Sequence, residues 1–350
     1  MKKIMVCADC GVPIEISRGS RWEDNGTIDA LRTPGQRSLL YEVEGIDGLF
    51  RNIEKLVGQS VNRVVAEGKR KNSLEFLESY FSGITGLLAR TVGRRRVYNT
   101  IASLGATFGY GHFEIRDIRR GEYVIVFARN VYSMPLLTGD LVATFNVTER
   151  LPANVSIEEE SDGYLIRIER GNELEEELTS RLEAEILVPK PGDIAFDTCP
   201  SCGAPIDLKQ WRFDTEEGVI TDTVTGRRMA SMGIEQIDAV LRELEAELGK
   251  EFAEIILRAQ RDYVLNNLGK EEMAQGRSYV RHFFALRGMG NLVEYEIDDG
   301  RLQARVENAR PPLLVAGILY GVFELLTGRE SSIDYNLHDD GSLDIRVVAV

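Results

Sequence analysis

The sequence predicts an α/β protein of the α+β type, in which two tandem homologous domains each pack helices on an antiparallel sheet. Three observations lead to this fold class. One cysteine motif occurs twice, five sequence blocks recur in the same order, and helical periodicity alternates with short strand pairs in each half. The chain has 350 residues, of which 43% are hydrophobic, and this is enough for two domains with hydrophobic cores.

The cysteine motif stands at the head of each half. CADCGVPIEI begins at Cys7 and CPSCGAPIDL begins at Cys199, and together they hold all four cysteines of the chain. In both copies a glycine follows CxxC and supplies the backbone angles of a tight turn, and a proline lies close by. This pattern is typical of a zinc knuckle.

Both copies of the motif open a longer repeat. The paired blocks are residues 7–28 with 199–220, 45–58 with 236–249, 109–130 with 288–309, 134–145 with 311–323, and 156–168 with 332–347. Because the five blocks recur in one order, we interpret the chain as a tandem duplication with a boundary near Gly192.

The first repeat then spans residues 1–192, with a zinc knuckle at 5–30, a larger domain at 40–170 and a charged connector at 171–192. The second repeat spans residues 193–350, with a knuckle at 197–222 and a domain at 232–350. Since equivalent surfaces exist on both repeats, we expect them to pack about a pseudo-twofold axis, as the subunits of an isologous dimer do.

The same order of elements is predicted within each repeat. Apolar residues recur at helical spacing after residue 236. A strand pair follows, with its turn at Gly121 in the first repeat and at Asp299–Gly300 in the second. An apolar helix comes next, clearest in PLLVAGILYGVFELLTG, and a last hairpin turns at Asp162–Gly163 or Asp340–Gly341.

The charge balance is acidic. The chain has 42 Lys and Arg against 56 Asp and Glu, a net charge of −14, which argues against binding to nucleic-acid backbones or anionic lipid. No stretch approaches 18 uninterrupted apolar residues, and MKKIMVCADC reaches polar residues before a signal-peptide core could form. We therefore expect a cytoplasmic protein without nucleic-acid or membrane partners, in which paired cysteines are metal ligands or redox thiols more often than disulfides.

One knuckle supplies two thiolates, whereas a structural zinc ion takes four ligands. Zinc ribbons place the second pair about 15–20 residues after the first, but here the second pair lies in the other repeat. We therefore expect Cys7, Cys10, Cys199 and Cys202 to bind one structural zinc ion per chain, shared between the two knuckles. A redox dithiol, an iron–sulfur cluster, and vestigial or separate sites stay open as alternatives.

The later part of each repeat carries a recurring pattern of glycines. The better copy contains GMGNLVEYEIDDGRLQARVENA and VAGILYGVFELLTGRESSIDY, with Gly288, Gly290, Asn308, Gly317, Gly321, Glu324 and Gly328 at the characteristic positions. The first copy keeps Gly109, Gly111, Asn130 and Gly139. In these residues both copies resemble the 4-vinyl-reductase-like domain, a family often described as predicted hydrocarbon-binding proteins.

The resemblance implies helices packed on an antiparallel sheet, as in subunits of vesicle-tethering complexes, and a pocket between them for small hydrophobic or aromatic molecules. Some members are sensor domains of transcription factors, and one is associated with bacteriochlorophyll synthesis. Many members carry metal-binding cysteines in the terminal hairpin. Here that hairpin reads YNLHDDGSLDIRV, so the family's own metal site is not expected.

We expect the chain to bind a small hydrophobic or aromatic ligand, with a sensing or scaffolding role that would involve a protein partner. The candidate pocket residues are Tyr263, Tyr279, Phe283, Phe284 and Tyr320 of the second repeat, and His112 of the first. With three histidines and no GxSxG motif, binding is favoured over catalysis. The alternatives are an enzyme or accessory factor acting on a tetrapyrrole or aromatic substrate, and a pure protein-interaction scaffold.

Overall fold

The computed structural model describes residues 4–82, 93–171, 176–249 and 251–350, so residues 172–175 of the predicted connector lie outside it. The helices of the first repeat are α1 (Ile14–Gly19), α2 (Val43–Val57), α3 (Asn62–Tyr80), α4 (Arg94–Thr107), α5 (Met134–Glu149) and, in the connector, α6 (Glu176–Arg181). Its strands are β1 (Ser20–Trp22), β2 (Ile28–Ala30), β3 (Ser38–Glu42), β4 (His112–Arg119), β5 (Tyr123–Arg129), β6 (Ala153–Glu160) and β7 (Gly163–Arg170).

The second repeat follows the same order, with a short 3-10 helix (Ile206–Gln210) in place of α1. Its strands are β8 (Trp211–Asp214), β9 (Val219–Asp222), β10 (Arg228–Gly233), β11 (Asn291–Ile297), β12 (Arg301–Glu307), β13 (Ser331–Leu337) and β14 (Leu343–Ala349). Its α-helices are α7 (Ile234–Leu248), α8 (Glu251–Asn267), α9 (Lys270–Met273), α10 (Arg277–Arg287) and α11 (Pro312–Thr327). Helices α5 and α11 each have proline in the first turn, where its missing N–H costs no hydrogen bond.

Each repeat contains a four-stranded antiparallel sheet, and the strand order is the same in both. It is β4-β5-β7-β6 in the first repeat and β11-β12-β14-β13 in the second. Along β12, Leu302, Ala304 and Val306 are buried and alternate with more exposed residues, so one face of the sheet packs against the helices. The predicted α+β class is confirmed, and the turns at Gly121 and Gly300 fall between strands as expected.

A further sheet, β3-β10-β9-β8, joins the two repeats. In this sheet β3 pairs antiparallel with β10, its counterpart in the second repeat. Leu40 faces Ser231 at the centre of the register. On one side of this centre Ser38 faces Gly233, and on the other side Glu42 faces Met229. Counting back from the aligned blocks 45–58 and 236–249 makes Leu40 and Ser231 equivalent, so this is the pairing that a twofold axis through the centre produces.

The helices of the two repeats interleave around the joining sheet. Within each repeat α3 packs on α5 and α8 packs on α11, whereas across the repeats α2 packs on α8 and α3 packs on α7. Gly139 and Gly317 lie at equivalent points, where any side chain would overlap the facing helix. One hydrophobic core therefore runs through both repeats, and the division into domains at 1–192 and 193–350 stays a prediction from the sequence.

The tip of each knuckle hairpin docks on the Gly-x-Gly turn of the other repeat. The N–H of Gly290 donates to the carbonyl oxygen of Gly26 at 3.0 Å, and Gly218 lies directly against the backbone of Gly111. The indole N–H of Trp22 also donates across the repeats, to the carbonyl oxygen of Leu286 at 3.0 Å. Each knuckle therefore contacts the sister repeat as well as the repeat to which it belongs.

The apolar segment predicted as a helix near the end of each repeat is an internal element of the fold. Helix α11 has 16 residues and packs against α8 and strands of the second repeat's sheet, whereas a membrane-spanning helix needs about 20 apolar residues. Among the residues that the structure describes, no helix combines the length and the apolarity needed to cross a membrane.

We expect Gly218→Ala to lower the free energy of unfolding by about 3 kcal/mol, because a Cβ there would overlap the backbone of Gly111 and loosen the contact between the repeats. Gly226→Ala is the matched control, since Gly226 also has a positive φ but open space around it, and it should cost only about 1 kcal/mol. Urea denaturation of the two variants measures both values. Equal losses would show that the docking of the hairpin tip contributes nothing beyond backbone strain.

Candidate metal centre and ligand cavity

Each cysteine pair lies on a tight turn of the same geometry. The N–H of Gly11 donates to the carbonyl oxygen of Cys7 at 2.9 Å, and the N–H of Gly203 donates to that of Cys199 at 2.8 Å. Both glycines have a φ of 77°, which explains why glycine follows CxxC in each copy, since other residues adopt this angle at a cost. The predicted knuckle turns are therefore present in both repeats.

The two turns face each other, and their four sulfur atoms lie within 4.8 Å of one another. Cys7 Sγ is 3.8 Å from its counterpart, Cys199 Sγ, and Cys10 Sγ is 3.4 Å from Cys202 Sγ. A tetrahedral zinc site with bonds of about 2.3 Å separates its sulfurs by about 3.8 Å, so the cluster has the size that such an ion requires. These separations exceed a disulfide bond of about 2.05 Å, and all four cysteines are free.

The protein environment shifts the pKa values of three of these cysteines in different directions. Hydrogen bonds from the backbone at Cys10 and Asp9 lower the pKa of Cys7 to about 7, so a thiolate is available at neutral pH. Burial raises the pKa of Cys10 and of Cys202, and a bound cation would offset that penalty because it binds the deprotonated form. The cluster is therefore suited to a metal ion, with one ready thiolate as its first ligand.

An apolar shell encloses the cysteine cluster. It is formed by buried residues of both repeats: Val12, Ile16, Ile28, Leu40, Ala204, Leu208, Trp211, Ile220, Met229 and Leu286. Trp22 packs against the same shell, so the tryptophan that follows each knuckle lies beside it. Because the shell contains residues of the joining sheet, the cysteine cluster and the contact between the repeats form one structural unit.

A cavity of about 140 Å³ lies in the first repeat, between its helices and its sheet. Side chains of α3, α4 and α5 form one wall, and side chains of β4, β5 and β7 form the other. Strand β10 of the second repeat closes one side with Ser231, Met232 and Gly233. Most of the lining is apolar, and its aromatic members are Phe76, Tyr98, Phe108, Tyr110 and Phe113.

A cluster of polar side chains occupies one part of this apolar lining. Lys69 Nζ lies 3.3 Å from Asp140 Oδ1 and donates to the hydroxyl of Tyr110 at 3.1 Å. The hydroxyls of Ser73 and Tyr132 donate to the two carboxylate oxygens of Asp140 at 2.5 and 2.8 Å. Burial alone would lower the pKa of Lys69, but Asp140 and Tyr110 raise it above its ordinary value, so the lysine is charged at neutral pH.

The interior of the second repeat contains larger side chains at the equivalent positions, one from its own helix and one from β3 of the first repeat. Phe284, which is fully buried, stands where the first repeat has Gly105 at the cavity wall. Glu42, also fully buried, stands on β3 where β10 has Gly233. Its carboxylate accepts a hydrogen bond of 2.6 Å from Arg287. The first repeat therefore owes its cavity to small residues at points where its sister has bulky or charged ones.

The pocket candidates from the sequence lie elsewhere. None of Tyr263, Tyr279, Phe283, Phe284, Tyr320 and His112 lines this cavity. Phe283 and Phe284 are buried in the core of the second repeat, and the Tyr263 hydroxyl is buried without a described hydrogen-bond partner. His112 Nδ1 lies 2.7 Å from the carbonyl oxygen of Glu216, at a contact between the repeats. A ligand role for these six residues stays a prediction.

Sequence reasoning missed Lys69 and Asp140. The available signal was Asp140, because it is an ionisable residue within the apolar segment MPLLTGDLVATF. Lys69 carried no signal of its own, since it lies in NRVVAEGKRKNSLEFLESY among many other charged residues. It is buried because the close approach of α3 to Gly139 on α5 turns this side chain inward.

Comparisons with known proteins give little further information. Neither a protein-family model nor a curated protein matches the chain. Among solved structures, the chain is similar to a Cs H-NOX mutant with the unnatural amino acid 4-cyano-L-phenylalanine at site 5. The identity is 12% and the TM-score 0.25, over 34% of this chain and 74% of that one. A TM-score this low carries no argument about fold or function.

We expect Lys69→Met to lower the free energy of unfolding by about 3–5 kcal/mol, because it leaves Asp140 buried without its cation. The double variant Lys69→Met/Asp140→Asn removes both charges and should recover most of that loss. Lys71→Met on the same helix is the control, since the partners of its ammonium among the described residues are carbonyl oxygens of the connector. Chemical denaturation measures all three variants, and a Lys69 variant as stable as the Lys71 variant would contradict a structurally coupled ion pair.

Proposed function

We propose that this protein is a zinc-stabilised pseudo-dimer that binds a small, largely apolar molecule in the cavity of its first repeat, with a sensing or scaffolding role. The observation that carries the proposal is the cavity itself. It has a mostly apolar lining, a buried cluster of polar groups around Lys69 and a position between helices and sheet, and ligand sites in proteins combine these properties. The resemblance to 4-vinyl-reductase-like domains supports the same location, because members of that family bind ligands between helices and sheet.

The four cysteines would hold the zinc ion. A site with four thiolate ligands is closed, and closed sites stabilise structure because they leave no open position for a substrate. Two ligands come from each repeat, so binding free energy on the order of 10 kcal/mol would act on the contact between the repeats. The ion would therefore stabilise the same joining sheet that closes the cavity with β10.

We expect purified protein to contain one zinc ion per chain, and expect Cys7→Ser and Cys199→Ser each to lose it, because either change removes one of four shared ligands. Elemental analysis of protein purified without added metal measures the stoichiometry. Ser201→Ala, which changes the knuckle without removing a thiol, should keep the ion. Two ions per chain or none would contradict a shared zinc site, and iron with visible absorbance would favour an iron–sulfur or redox centre.

For the cavity, we expect the neutral fluorescent probe N-phenyl-1-naphthylamine to bind, and expect Gly105→Phe to weaken its binding at least tenfold. The substitution places in the first repeat the ring that Phe284 supplies in the second. Ala102→Leu, a smaller change in the same wall, should weaken binding to a lesser degree. Fluorescence titration gives the dissociation constants.

The matched control for this titration is Gly48→Phe. It adds the same ring to a helix at a position where nothing lies near the new Cβ, and its probe affinity should equal that of the wild type. Failure of the probe to bind, or equal affinity in all four proteins, would count against ligand binding in this cavity.

A further inference from the structure

The polar cluster of the cavity is not needed to build the fold. The sister repeat folds in the same way with Gln260 where the first repeat has Lys69 and with Ile318 where it has Asp140. The equivalence follows from packing, because Lys69 faces Gly139 as Gln260 faces Gly317. A buried ion pair is seldom the most stabilising choice for a core position. Its presence in the repeat that has the cavity points to a task connected with the ligand.

The cluster is reachable from the cavity. Lys69 and Asp140 keep 5% and 15% of their side-chain surface accessible, and both line the cavity together with Ser73 and Tyr110. An ammonium group has three N–H donors, and the described partners of Lys69 are Asp140 and Tyr110. Lys69, Ser73 and Tyr132 take three of the four lone pairs of the Asp140 carboxylate. One donor of Lys69 and one lone pair of Asp140 are therefore left for a polar group on a ligand.

Every charged residue in the described lining of the cavity has a partner of opposite charge. Besides the pair Lys69–Asp140, Arg32 lies 2.9 Å from Glu15, and Arg37 lies 3.2 Å from Glu235. An ionised ligand would bring into this site a charge that no free countercharge balances. A carboxylate would meet Asp140, and an ammonium would meet Lys69, so either would bind at a large desolvation cost.

From this balance we infer that the ligand is a neutral molecule with an apolar body and one hydrogen-bonding head group, an alcohol or a carbonyl compound, whose head contacts Lys69 and Asp140. The inference rests on the proposed ligand-binding function and adds the ligand's charge and polarity to it. The head group accepts a hydrogen bond from the Lys69 ammonium, an alcohol also donates to Asp140, and the apolar body lies against the aromatic lining.

The test uses three probes with the same tail, 1-octanol, octanoate and octylamine, each competing with N-phenyl-1-naphthylamine at pH 7. We expect octanol to displace the fluorescent probe at a concentration at least tenfold below that of either charged compound. Asp140→Asn leaves Lys69 without its countercharge and should reverse the order, so that octanoate becomes the best competitor. Lys69→Met leaves Asp140 without its countercharge, so octylamine should become the best competitor.

Asp47→Asn, a partly exposed residue of α2 that is paired with Arg51 and does not line the cavity, is the control and should keep the wild-type order. If either cavity variant fails to fold, the order of the three competitors on the wild-type protein still tests the inference. Octanoate or octylamine as the best competitor, or three competitors of equal strength, would overturn it. A further outcome is that none of the three compounds displaces the fluorescent probe, while Gly105→Phe still weakens the binding of that probe. This would overturn the inference and leave the proposed function intact. Absence of fluorescent-probe binding would remove the proposed function and the inference with it.

Discussion

The antiparallel pairing of β3 with β10 is the constraint on which the rest of this structure depends. The two strands are equivalent members of the two repeats, and their register centres on Leu40 and Ser231, so the pairing defines the pseudo-twofold relation. Once these strands pair, the helix that follows each strand lies against the sister repeat. Helix α2 packs on α8, and α7 packs on α3. The knuckles that precede them are brought face to face, which places four sulfurs within 4.8 Å of one another.

The two repeats share one order of elements but differ in their interiors. The interior of the second repeat contains Phe284 and the buried pair of Arg287 with Glu42 of β3, and the equivalents of these residues line the cavity of the first repeat. The cavity of the first repeat is lined at the corresponding places by its own Gly105 and by Gly233 of the second repeat's β10, and it has in addition the polar cluster around Lys69. A side chain on the joining sheet faces the interior of the other repeat, so a change on one strand alters the interior of its sister. Glu42 shows this, because it lies on β3 but pairs with Arg287 of the second repeat.

The cysteine cluster and the cavity share structural elements. Leu40 and Met229 of the joining sheet belong to the apolar shell of the cysteines, while Ser231 and Met232 of the same sheet meet the cavity. Leu40 on β3 faces Ser231 on β10 in the register of the two strands, so a residue of the cysteine shell and a residue of the cavity wall are direct neighbours in one sheet. Stabilisation of the knuckles by an ion would therefore stabilise a wall of the cavity.

The sequence alone determined the knuckle turns, the duplication, the hairpins and the α+β class, because each of these depends on local patterns such as glycine after CxxC or strand alternation around Gly121. It also predicted that Cys7 and Cys199 would meet, since the second half of a four-ligand site was missing from each repeat. Only the tertiary structure decided that the cavity lies in the copy with the weaker family pattern, and that Lys69 and Asp140 meet inside it. Those features depend on which side chains face each other across packed helices, and a gap left by Gly105 becomes a cavity only because no neighbouring residue fills it.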